Sequence, residues 1–144
     1  MTALVLDTNI VLDLFVFDEP AAAPLRADLA AGAAEWLASA AMRDELSRVL
    51  GYPQVARRLA FHGRAADSVL AAFDRHARLV PDARKAPFTC KDPDDQRFID
   101  LAVAHGCTLL SKDHAVLCMA RRLATLSVRV QTLHAWSQQA LAAA

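Results

Sequence analysis

The sequence has no charge surplus of either sign: its 16 Lys+Arg and 16 Asp+Glu cancel to a formal net charge of zero. A chain without a global positive field is not a nucleic-acid coat protein, so any contact with a polyanion has to come from a local patch. Cysteine is scarce as well. Cys90, Cys107 and Cys118 are odd in number and form no C-x-x-C pair, which argues against a disulfide framework and a zinc site, and suits thiols kept reduced in a cytoplasm. No basic segment followed by an apolar one opens the chain, and its longest Ala-rich stretch, Pro20 to Met42, is interrupted by Arg26, Asp28 and Glu35. Neither an export signal nor a membrane span is expected. Trp36, Tyr52 and Trp136 are too scattered for a base-stacking platform and read as core or interface residues. What the chain has in quantity is apolar side chain, 55% of 144 residues, enough for a core without disulfides or a structural metal. With no repeat and no linker, one domain over 1–144 is expected.

The apolar run Ala3-Leu4-Val5-Leu6 ends in Asp7-Thr8-Asn9 and predicts a buried strand, a turn and a helix from near Ile10. Helices are expected over Pro24–Ala31, Ala40–Leu50, Pro53–Phe61 and Arg64–Ala77, with strands at Glu35–Ser39 and Arg78–Val80 and a loop over Pro81–Lys91. Asp92-Pro93-Asp94-Asp95 combines a capping Asp, a proline at the first helical position and acids in the first turn, which starts a helix running to His105. Thr108–Leu110 reads as a strand, Asp113–Leu123 as a helix, Val128–Val130 as a strand and Leu133 onward as a terminal helix. Strands alternating with helices imply an α/β fold: a mostly parallel sheet of about five strands between helical layers, with ligands beyond the carboxyl ends of the strands.

Four acids fall where such a sheet presents its ligands. Asp7 follows the first strand, although Asp-Thr-Asn also suits a turn capping the next helix. Glu45 lies beside the Met42, Leu46, Val49 stripe at about 100° per residue, so it leans inward, while Asp44 faces out and can pair with Arg48. Asp95 is in phase with Phe98, Ile99 and Ala102, the face that must lie on the sheet; capping alone could account for Asp92, and Asp94 is a weaker ligand candidate than Asp95. Asp113 repeats the strand-then-Asp arrangement and also suits an N-cap. Brought together, four carboxylates repel at about 4 kcal/mol per close pair at an effective dielectric of about 20, and the cluster calls for a cation. Oxygen donors without Cys or His favour Mg²⁺ or Mn²⁺, ions suited to activating water and stabilising a leaving oxygen in phosphate chemistry.

Val5-Leu6-Asp7-Thr8-Asn9, the stretch from Ser39 through Glu45-Leu46 to Val49-Leu50, Lys91-Asp92-Pro93-Asp94-Asp95-Gln96-Arg97-Phe98 through Gly106, and Leu110-Ser111-Lys112-Asp113 together resemble the PIN-domain family, in particular its bacterial toxins of toxin–antitoxin modules. The resemblance implies a parallel three-layer α/β/α sandwich and endonucleolytic cleavage of RNA. It further implies Asp7, Glu45, Asp95 and Asp113 as metal-site acids for Mg²⁺ or Mn²⁺, with Thr8, Asn9 and Ser111 orienting them. An antitoxin partner and a homodimer are implied by the same likeness. One departure stands out: His114-Ala115 follows Asp113 where many members carry a further acid, leaving Asp92 or Asp94 to supply an oxygen.

Arg84, Lys85, Lys91 and Lys112 are candidates for a basic rim that contacts RNA, with ordinary solvated charge as the alternative; Arg57-Arg58 and Arg121-Arg122 pose the same choice. His105 and His114 read as structural, since no second His stands at ligand spacing. Two rival functions remain. A haloacid-dehalogenase-type phosphatase requires an Asp where this chain has Asn9. A catalytically inactive PIN-like module that binds RNA or protein would keep the fold without the metal.

Overall fold

The computed structural model describes residues 2–143. Five strands, β1 (Thr2–Leu6), β2 (Ala34–Ala38), β3 (Ala77–Leu79), β4 (Thr108–Leu110) and β5 (Val130–Gln131), form one sheet in the order β3-β2-β1-β4-β5, with every neighbouring pair parallel. Leu4, Val5 and Leu6 are buried in succession, as are Trp36, Leu37 and Ala38. Alternate strand residues point to opposite faces, so consecutive burial means that both faces are covered, as an all-parallel sheet requires.

The covering helices are α1 (Thr8–Phe15), α2 (Ala23–Ala31), α3 (Ala40–Leu50), α4 (Pro53–Phe61), α5 (Ala66–His76), α6 (Gln96–His105), α7 (His114–Leu117), α8 (Ala120–Ala124) and α9 (Leu133–Ala143). The connections from β1 through β2 to β3 step to one side of β1, and β4 and β5 lie on the other. Right-handed crossovers then place α1 to α5 on one face and α6 to α8 on the opposite one. The packing agrees: α1 contacts α2 and α3, α3 contacts α5, and α6 lies on β1 and β4. The direction of winding reverses between β1 and β4, which opens a crevice beyond their carboxyl ends.

Local chemistry sets the elements that reach that crevice. Ser39 caps α3 by accepting from the Met42 amide at 3.4 Å, and Met42, Leu46 and Leu50 seat the helix at four-residue spacing. Trp36 on β2 meets Phe73 of α5 edge to face at 4.9 Å, and Arg43 of α3 holds Asp74 of α5 through bonds of 2.7 and 2.9 Å. Among the described residues, no helix is long and apolar enough to cross a membrane.

Several expected boundaries shift. α1 begins at Thr8, because the Asp7 carbonyl already accepts from the Ile10 and Val11 amides. The expected Asp113–Leu123 helix is two short helices joined by a tight turn at Cys118–Met119; that turn keeps Val116, Met119 and Leu123 all buried. The last strand is Val130–Gln131, since Ser127 turns the chain at φ 64° and Val128 is buried outside the ladder. Asp44 and Arg48 make no pair among the described ion pairs.

Candidate active site

Asp7 is the first residue beyond β1, and its amide still donates to the Leu110 carbonyl of β4 at 3.0 Å. It occupies the N-cap position of α1, yet its carboxylate makes no capping bond. Instead Oδ2 accepts from the Ser111 hydroxyl at 2.8 Å. Ser111 is wholly buried, its amide is held by the Gln131 carbonyl at 3.0 Å, and its Oγ accepts from the Asp113 amide at the same distance. One hydroxyl thereby sets the relative positions of two acids. Asp113 is both an N-cap, with Oδ1 accepting from the Ala115 amide at 3.0 Å, and a member of the site.

Asp95 arrives from the other face of the sheet. Asp92 caps the entry by accepting from the Asp94 amide at 3.0 Å, and Pro93–Asp95 forms a 3-10 turn leading into α6. Phe98, Ile99, Leu101 and Ala102 bury α6 against the sheet, which carries Asp95 at its head into the crevice. The loop before it is tied down by Gln96 and Asp100: Gln96 accepts from the Cys90 amide at 2.6 Å, and Asp100 from the Ala86 amide at 2.8 Å.

Carboxylate oxygens of Asp7, Asp95 and Asp113 all lie within 4.8 Å of one another. Glu45 stands at the edge of this trio, hydrogen-bonded by the Thr8 hydroxyl and near enough for its charge to act on Asp7. Burial raises the Asp7 pKa above the usual carboxylate range; Asp113 and Glu45 add to the rise, and the Ser111 bond opposes it. Asp95 is pushed up to about 8, first by burial, then by its hydrogen bond with Asp113 and by the charges of Asp7, Asp113 and Asp92. Without a cation, the site relieves its repulsion by keeping a proton on Asp95.

Asp95 Oδ2 is buried with no hydrogen-bond partner, a costly state for a carboxylate oxygen. A carboxylate that has an orphaned oxygen and is grouped with two further carboxylates is an arrangement that a hard divalent cation satisfies. The donors are all oxygen. Burial raises the thiol pKa of the neighbouring Cys90, and its sulfur bonds the Ala115 carbonyl at 3.4 Å, so it offers no thiolate. The residues present therefore fit a divalent metal.

Other residues singled out in the sequence fare differently. Asn9 and Asp94 are exposed and, among the described residues, make no side-chain hydrogen bond at the site. Arg84 and Lys91 are exposed, and Lys85 bonds the Ala86 carbonyl at 3.1 Å. Lys112 is not a free rim cation: its ammonium is held by both Asp13 oxygens at 3.0 and 3.1 Å. Asp13 is a site neighbour that the sequence pattern does not single out, although a lone acid inside Ile10-Val11-Leu12-Asp13-Leu14-Phe15 is a signal, since α1 buries it to 4% exposure. Trp36 and Trp136 are core residues as expected, whereas Tyr52 is 53% exposed.

No curated protein matches this chain. The sequence profile of the PIN domain matches residues 3–115, a span that begins in β1, takes in all four acids and ends just after Asp113. That match sets aside the phosphatase alternative. With a profile covering most of its length and an acidic crevice at the carboxyl ends of a parallel sheet, the chain belongs to the PIN domain family.

Proposed function

We propose that this protein is a metal-dependent endoribonuclease that hydrolyses RNA phosphodiester bonds at the Asp7, Asp95, Asp113 cluster. The PIN domain is a nuclease-type fold, and the observation that carries the reading is the cluster of Asp95, buried with one oxygen unpartnered, and two other carboxylates within 4.8 Å. Asp7, Asp95 and Asp113 would hold Mg²⁺ or Mn²⁺, with Glu45 completing the oxygen set from α3. When bound, the ion supplies charge to activate water and to stabilise the leaving oxygen, giving a 5′-phosphate and a 3′-hydroxyl. The protein's own part is positional. Ser111 fixes Asp7 against Asp113, and Thr8 holds Glu45 toward the site.

Cleavage of a labelled RNA by the wild type with Mn²⁺ or Mg²⁺, by the wild type with EDTA, and by Asp7→Asn tests this. Activity with metal alone, lost in the other two cases, is expected; equal activity in all of them rules the reading out. The likeness to bacterial toxin components further supports a cytoplasmic toxin of a type II module, neutralised by a cognate antitoxin and acting as a homodimer. Growth arrest on induction, relieved by Asp7→Asn, checks the toxin role. The inactive-module reading draws on His114-Ala115, where a further acid is missing; it predicts no thermal shift with Mn²⁺.

A further inference from the structure

We propose that the outer face of α4, with Arg48 and Tyr52 leading into it, is the surface on which a single-stranded RNA lies as it enters the acidic site. This rests on the nuclease reading above. Val55 and Leu59 bury one side of α4. Gln54, Arg57, Arg58 and Phe61 recur at the i, i+3, i+4, i+7 spacing of a single helical stripe, and all four are exposed. Phe61 is 81% exposed, and with Tyr52 it accounts for two of the three large exposed hydrophobics among the described residues. A ring that open contributes little to the core and is accessible for stacking by an unpaired base.

The charge along this segment is one-sided. Between Glu45 and Asp67 the chain carries Arg48, Arg57, Arg58, His62 and Arg64 and no acid, in a protein whose overall charge is zero. Arg64 is spent on Asp18, at 2.8 Å. Arg58 lies over the Phe17 ring at 5.8 Å and donates to His62, interactions that orient its charge without neutralising it. Arg48 and Arg57 make no ion pair among the described residues. α3 joins this segment to the site: Arg48 follows Glu45 by three residues, and α3 ends about 7.5 Å beyond Glu45 at 1.5 Å per residue.

Guanidinium groups interleaved with exposed rings match the two components of a single-stranded nucleic acid, phosphates and unpaired bases. A second copy of this chain is a poorer occupant, because a twofold interface through this face would set arginines against arginines.

The test measures binding of a short, unstructured, fluorescein-labelled single-stranded RNA by anisotropy in the Asp7→Asn background, across a range of salt. Arg48→Gln with Arg57→Gln should lower the slope of log affinity against log salt by about 1.4, at about 0.7 for each phosphate no longer neutralised. Phe61→Ala should weaken binding roughly fivefold or more at an unchanged slope. Arg121→Gln with Arg122→Gln, on the exposed side of α8, should change neither. Wild-type affinity and slope in the α4 variants overturn the proposal while leaving the nuclease reading intact. Sedimentation showing that Phe61→Ala dissociates a dimer reassigns the face to a second copy and likewise overturns it. A wild type that neither binds nor cuts RNA brings down the nuclease reading, and this proposal with it.

Discussion

Asp95 is buried with one oxygen unpartnered and with Asp7, Asp92 and Asp113 around it, and this fixes the direction of its pH response. In the folded chain its carboxyl keeps a proton up to about pH 8, against an ordinary value of 3.8. Between those values the folded state binds more protons than the unfolded one, so this group's contribution is complete below its ordinary pKa and is lost as pH rises toward 8. Metal-free wild type should therefore lose melting temperature relative to Asp95→Asn from about pH 5 to about pH 8; parallel curves would sink the assignment. Asp13 and Lys112 give an asymmetric prediction. The Asp13 side chain is 5% exposed and that of Lys112 is 49%. Lys112→Met strands a buried carboxylate, at a cost of about 1–3 kcal/mol in denaturant unfolding. Asp13→Leu lets Lys112 turn to water and should cost less, since an apolar replacement of similar volume is often near neutral. Equal losses would contradict this account. The convergence of Asp7, Asp95 and Asp113 was legible because strand ends and helix phase aim them. Asp13 carries a local signal, a lone acid in an apolar run, but its pairing with Lys112 was not legible, because that partner lies 99 residues away.

At the scale of elements, α6 is the one whose beginning and end the sequence spells out most fully. Asp92-Pro93 opens the 3-10 turn that leads into it, and Gly106 ends it at φ 57° with its amide bonded back to Val103 at 3.2 Å. Nothing lies within 4 Å of where a Gly106 side chain would sit, so Gly106→Ala meets only the left-handed backbone, a cost of about 1–2 kcal/mol. Its melting temperature should fall while the Mn²⁺-induced shift persists, because Asp95 stands at the far end of the helix; loss of that shift would show that the ends are coupled. Boundaries failed where packing outweighed local pattern. The periodicity through Val116 and Leu123 suits one helix, yet burying Met119 with both requires the turn that divides it. Val128 has the branched side chain of a strand residue but packs in the core, outside the ladder.

For the whole molecule, a bound cation adds stability by mass action, about 2.7 kcal/mol when free Mn²⁺ stands at about a hundred times its Kd. The wild type should melt higher in Mn²⁺ than in EDTA, and Asp7→Asn or Asp95→Asn should not; an equal rise in the variants would place the ion elsewhere. The parallel, helix-covered sheet was readable from the alternation of strands and helices. Strand order was not, since pairing β1 with both β2 and β4 depends on residues distant in sequence. That order has a consequence during synthesis. Asp7 is made with β1, but its hydroxyl anchor, Ser111, follows 104 residues later, and the third carboxylate, Asp113, later still. A chain interrupted before β4 thus holds Asp7 without its anchor and has no three-carboxylate cluster, which forms only once the fourth strand has been laid beside the first.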